Sequence, residues 1–142
     1  MNPHLKLLIL LLPGLLLAAL ALSLPPIVQP LAYHDFADQR ACFGLPNCLD
    51  TASNVLFLLA GLFGLGFLFG PAGRRAFVEA REAWPYALFF AAGVLVGLGS
   101  GYYHLAPDND GLLWDRAAMA LAFMAWLGAI LGERVGVGVA AV

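Results

Sequence analysis

Three side chains in one short stretch have the types and spacing for hydrolytic chemistry. Ser100 and His104 are four residues apart, so on a helix they share a face, with β-carbons about 6 Å apart. Asp115 follows eleven residues after His104, and the segments on either side are strongly apolar. A tight hairpin between those segments would bring all three side chains to one membrane face. An ionisable group within a span is costly and is by default a functional candidate. Without a metal, the trio would act as a serine nucleophile, a histidine base and an aspartate that orients the ring, although a membrane helix fixes the rotamers of such a neighbouring pair poorly. Each residue also has a plainer reading. Ser100 can bond the Val96 carbonyl, and Asp115 suits a helix N-terminus through the dipole.

A second polar cluster, His34, Asp35 and Asp38, lies in the one long polar loop, residues 25–50, with Arg40, Asn47 and Asp50. Acidic loop residues can ligate a hard cation through oxygen, and a solvated loop is the plainer alternative. Cys42 and Cys48 are six apart and form no CxxC pair, which argues against a zinc knuckle or a redox motif. Outside the cell they are free to form a disulfide, and free thiols fit the sequence equally well. Arg116 reads as a structural partner for an outer-loop aspartate, Tyr102 and Tyr103 as aromatic-belt residues, and His4 as an ordinary residue near the N-terminus.

The elements that must position these groups follow from composition. Of 142 residues, 62% are hydrophobic and 11% charged, whereas soluble domains run near half apolar and a quarter charged. The expectation is an all-α integral membrane helical bundle, a single membrane domain over residues 1–142. The net charge of −2, with no basic patch, gives no sign of a nucleic-acid partner. Four spans are predicted, at about residues 5–24, 51–70, 85–104 and 112–131, each near the 20 residues a bilayer needs. The first is expected to be retained, with Pro25-Pro26 as its stop; a cleaved signal peptide is the alternative. Asp50 is the expected N-cap of the second. Residues 76–83 form a short connector, and 135–142 a weak apolar tail. Gly61, Gly64 and Gly66 in the second span, and Gly93, Gly97 and Gly101 on one face of the third, predict close helix–helix seams.

Taken together, Tyr33-His34-Asp35-Phe36-Ala37-Asp38-Gln39-Arg40, Gly44-Leu45-Pro46-Asn47, Ser53-Asn54, Ser100-x-Tyr102-Tyr103-His104 and Trp114-Asp115-Arg116 resemble bacterial members of the alkaline ceramidase family. That family belongs to a wider group of seven-helix membrane hydrolases that includes the adiponectin receptors. The resemblance covers roughly residues 33–134, and its specific part is the serine, histidine and aspartate spacing. It implies a zinc-dependent amide hydrolase that cleaves ceramide-type lipids into a sphingoid base and a fatty acid. On that footing His104 is a zinc ligand, Ser100 holds the zinc-bound water or the oxyanion, and Asp115 transfers the proton. It also implies calcium in the first outer loop, at Asp35, Asp38 and Asn47. The family carries two further zinc-ligand histidines, four apart, on its last helix, whereas this sequence has three histidines in all, His4, His34 and His104. Ala118 stands where the related pattern has proline. The expectation is therefore the N-terminal four-helix part of a seven-helix fold, inactive alone unless a second chain supplies the missing ligands. The alternative is a non-catalytic four-helix membrane protein that binds a lipid or a partner.

Topology follows from lysine and arginine placement. Lys6 precedes the first span, Arg74, Arg75 and Arg81 lie between the second and third, and Arg134 follows the fourth. The loop after the first span has only Arg40 against three aspartates, and the loop after the third has none. Both termini are therefore expected in the cytoplasm and both polar loops outside, which in a bacterial inner membrane means the periplasm. Reporter fusions along the chain are expected to place residues 71–83 inside; an external signal from that loop would overturn the topology.

Overall fold

Backbone in lipid has no water to bond, so a spanning segment must close its hydrogen bonds within a helix. A computed structural model describes the backbone at residues 3–25 and 27–135 and the side chains at 12–25 and 27–134. Among these residues the fold is all-helical, with only an isolated bridge between Cys42 and Leu45. The helices are α1 (Pro3–Ser23), α2 (Cys48–Phe69), a single turn α3 (Pro71–Arg74), α4 (Trp84–Leu105) and α5 (Asn109–Val135). Short 3-10 turns at Leu31–His34 and Ala80–Ala83 punctuate the connections.

Three stretches are long and apolar enough to cross a membrane: Cys48–Phe69, Ala80–Leu105 and Asn109–Arg134. The first expected span coincides with α1, of which the described apolar part, Leu12–Ser23, is shorter. The side chains of His4 and Lys6, Pro26 and the tail after Val135 lie outside the described residues.

Two helices start earlier than the sequence predicts, and in both cases the reason is a cap. α2 begins at Cys48, so Asp50 sits in its first turn and is not its N-cap. The cap position is Asn47, in left-handed backbone with φ 46° and ψ 51°. The capping acceptor comes from elsewhere in the loop: Asp38 Oδ2 accepts the Leu49 amide at 2.7 Å. Likewise α5 begins at Asn109, because Asp108 Oδ1 accepts the Gly111 amide at 2.6 Å. An Asp that bonds the free N–H groups of a first turn is a strong start signal. The turn between α4 and α5 is consequently only Ala106 to Asp108.

α4 is the central element, packed against α2 on one side and α5 on the other. The α2 seam runs on glycine. A β-carbon at Gly97 would lie 2.7 Å from the Leu58 amide nitrogen and 3.0 Å from the Asn54 carbonyl oxygen. One at Gly61 would lie 2.6 Å from the Phe90 carbonyl oxygen, while Gly93 faces Gly61 across the seam. The α5 seam is built from buried Gly111, Asp115, Ala118, Ala125 and Ala129, at helical spacing on one face. Gly66, expected in the same role, faces open space.

Gly97→Ala is therefore expected to destabilise the α2–α4 pair by roughly 1–3 kcal/mol, since the obstructing atoms are backbone. Gly66→Ala is expected to leave stability unchanged or raise it. Unfolding in detergent, followed by circular dichroism, distinguishes the two; equal effects would contradict the seam.

Candidate functional site

The α4–α5 corner is set by another close approach. A β-carbon at Gly99 would lie 2.9 Å from the Trp114 carbonyl oxygen, and one at Gly111 3.3 Å from the Tyr103 Cα. The end of α4 and the start of α5 thus meet through bare backbone. Ser100 and Asp115, on either side of this contact, are 8% and 7% exposed. His104, one turn after Ser100, is half-buried, and its Nδ1 is buried without a hydrogen-bond partner. The three candidate residues therefore share one corner.

The loop before α2 folds over this corner. His34 is buried, and its Nδ1 lies 2.8 Å from the Tyr103 hydroxyl, while its Nε2 has no partner. Phe36 stacks on the His104 ring, with centroids 4.5 Å apart, and meets Tyr103 edge-on at 5.5 Å. The Asn47 side-chain amide donates to the His104 carbonyl at 2.8 Å. Asn109 accepts the Gln29 amide at 2.8 Å and donates back to the Gln29 carbonyl at 3.2 Å. Cys42 and Cys48 form a disulfide, Cα atoms 5.6 Å apart, tying the loop tip to the start of α2.

Two expectations are corrected here. Arg116 bonds the Tyr33 hydroxyl and lies 3.9 Å from Asp115, its neighbour in sequence, so its partner is not an outer-loop aspartate. The loop carboxylates are engaged within the loop: Asp38 binds Arg40 Nε at 2.6 Å, and Asp35 accepts from Gln39 at 2.8 Å. Tyr102 is 56% exposed, as a belt residue should be, but Tyr103 is 4% exposed and is the largest buried side chain described. Its position three residues after Ser100 puts it on the same helical face, and that spacing was the available signal. Asn54 is a further buried polar residue in the α2–α4 seam, donating to the Asp50 carbonyl at 2.8 Å.

The donor sets bear on the two metals that the resemblance implies. For calcium, both oxygens of Asp38 already accept hydrogen bonds, whereas Asp35 accepts through Oδ1 only and Asn47 is engaged through its NH2 group. At Asp38 a calcium ion would have to displace Arg40 or the Leu49 amide. For zinc, the corner offers the free ring nitrogen of His104 and the buried Asp115 carboxylate. A catalytic zinc takes three protein ligands. No group of three or more His, Cys, Asp or Glu side chains is arranged for a metal among the described residues. The zinc donor set is thus incomplete here.

A groove of about 480 Å³ runs between α4 and α5 along Leu95, Leu98, Tyr102, Trp114 and Leu121. None of Ser100, His104 and Asp115 lines it. Leu98 lies almost opposite Ser100 on the helix, so this groove faces away from the polar residues. Compared with known protein families, characterised proteins and solved structures, the chain shows no match.

Asp38 gives a pH-dependent test of the loop. The Arg40 guanidinium, and after it the Leu49 amide, hold its carboxyl below the ordinary value of 3.8. A depressed carboxylate stabilises the fold above its unfolded pKa. The contribution is therefore fully present above pH 3.8 and lost as pH falls through the lower folded value. Asp38→Ala is expected to speed hydrogen exchange at the Leu49 amide at neutral pH. Unchanged protection would show that the carboxylate does not hold the loop.

Proposed function

We propose that the α4–α5 corner is part of a ceramidase-like hydrolytic site in a membrane protein. In this reading α1 is a fourth span and both termini are cytoplasmic in a bacterial inner membrane, so the corner and its covering loop face outward. The substrate class is a ceramide-type sphingolipid, cleaved at its amide. Asp115 takes a proton from the attacking water and returns it to the departing amine, the work of a carboxylate within reach of the reacting atoms. Ser100 donates to the oxygen on which negative charge develops. His104 is the imidazole available to a metal. The helices of a partner chain supply the remaining donors.

One observation carries this reading: the partnerless, buried Nδ1 of His104 lies on the same corner as buried Ser100 and Asp115. An unsatisfied buried polar group costs about 1–3 kcal/mol, so such a nitrogen calls for a ligand. The incomplete donor set favours a second reading, a non-catalytic membrane protein that binds a lipid or a partner.

Zinc titration and a fluorescent ceramide separate the two. The first reading expects zinc binding that weakens at least about tenfold in His104→Ala. It also expects fatty-acid release that falls roughly 10²-fold or more in Asp115→Asn. Zinc-free protein that still turns over would point to the Ser100–His104–Asp115 relay. Absence of both zinc binding and turnover, in protein of native helicity, would favour the second reading.

A further inference from the structure

At the end of the bundle opposite the Ser100 corner, α2 runs into α3 and the connector leads into α4. An apolar cavity of about 390 Å³ opens there, lined by Leu68, Phe69, Phe77, Trp84 and Ala87 with Arg74 at its edge. Beside it lies a second recess of about 410 Å³, lined by Phe69, Pro71, Arg74 and Arg75. The two share Phe69 and Arg74, so the apolar and the basic recess adjoin. Phe69 and Trp84 are 61% and 64% exposed, and both arginines are exposed.

The charge here is uncompensated. Neither Arg74 nor Arg75 pairs with a carboxylate among the described residues. Arg81, the third arginine of this connection, is bound to Glu79 at 2.6 Å and lines neither cavity. The backbone that carries the two arginines is held in place. A β-carbon at Gly73 would fall 2.2 Å from the Phe67 carbonyl oxygen and 2.6 Å from the Leu68 Cα, so the α3 turn is seated on the end of α2.

We propose that this end of the bundle binds an anionic phospholipid, with its phosphate at Arg74 and Arg75 and an acyl chain in the slot beside Trp84. Basic pockets between helices at a membrane face recognise anionic headgroups, and tryptophan is enriched at headgroup depth. The apolar slot selects a lipid over a free phosphate, and the two cations select an anionic lipid over a zwitterionic one. The site is independent of the chemistry at the Ser100 corner.

Native mass spectrometry of the full chain in mixed micelles tests this, with phosphatidylglycerol and phosphatidylcholine as probes. The wild type is expected to retain phosphatidylglycerol preferentially. The double variant Arg74→Gln/Arg75→Gln is expected to lower its affinity about tenfold and to leave phosphatidylcholine unaffected. Arg81→Gln is expected to match the wild type. Equal retention of the two lipids by the wild type, an undiminished double variant, or an equal loss in Arg81→Gln would each overturn the site. Should the double variant fail to fold, the wild type decides: phosphatidylglycerol binding must weaken as ionic strength rises, and salt-insensitive binding overturns the proposal.

Discussion

Everything at the polar corner depends on how closely α4 approaches its two neighbours. In lipid the hydrophobic effect does little to hold one apolar helix against another, so packing at short range must do it. On the α2 side Gly97 and Gly61 leave room only for backbone, and on the α5 side Gly99 meets the Trp114 carbonyl. Were any of these contacts widened by a side chain, the polar residues next to them would move as well. Asn54 lies at the Gly97 contact, and Asp115 follows Trp114 directly. The glycines therefore serve the corner by bringing polar groups from three helices within a shared, buried layer.

The loop over the corner is held by a different set of forces. It is too short to bury a core of its own, so each turn is fixed by a named polar bond. Asp38 is the node: it binds Arg40, caps α2 at Leu49 and is itself 7% exposed. The disulfide holds Cys42 to the same helix start, and Asn47 carries the connection on to the last carbonyls of α4. This arrangement places His34 and Phe36 against Tyr103 and His104. Arg40 supplies positive charge to Asp38 from within the chain.

The helices were legible in the sequence because apolar runs of membrane length have few alternatives. The glycine seam on α4 was legible because a four-residue repeat survives as a stripe on any helix. The helix starts were not, since the cap of α2 comes from Asp38, eleven residues upstream of the amide it binds. The same limit explains Arg116. Its choice between Tyr33 and a loop aspartate turns on which loop carboxylates are already engaged, and Asp38 had found Arg40 two residues away. The spacing of Ser100, His104 and Asp115 brought them near one turn between helices. Tyr103 shares the Ser100 face by the same kind of spacing, yet a tyrosine at a span end reads as an interfacial anchor until a partner such as His34 is seen to bury it.

Each imidazole of the corner has one buried nitrogen without a partner. His34 has one nitrogen bonded to Tyr103 and one without a partner, so its ring orientation is fixed by the protein alone. His104 packs its ring at a tilt against Phe36, and its buried Nδ1 has no partner. A ring held by packing, with an unbonded nitrogen, is positioned to bond a ligand. A buried nitrogen without a bond costs stability unless something completes it. The groove between α4 and α5 can hold any hydrocarbon, whereas a buried, partnerless nitrogen on the same corner as a buried carboxylate accepts only a polar atom or a metal brought to that point.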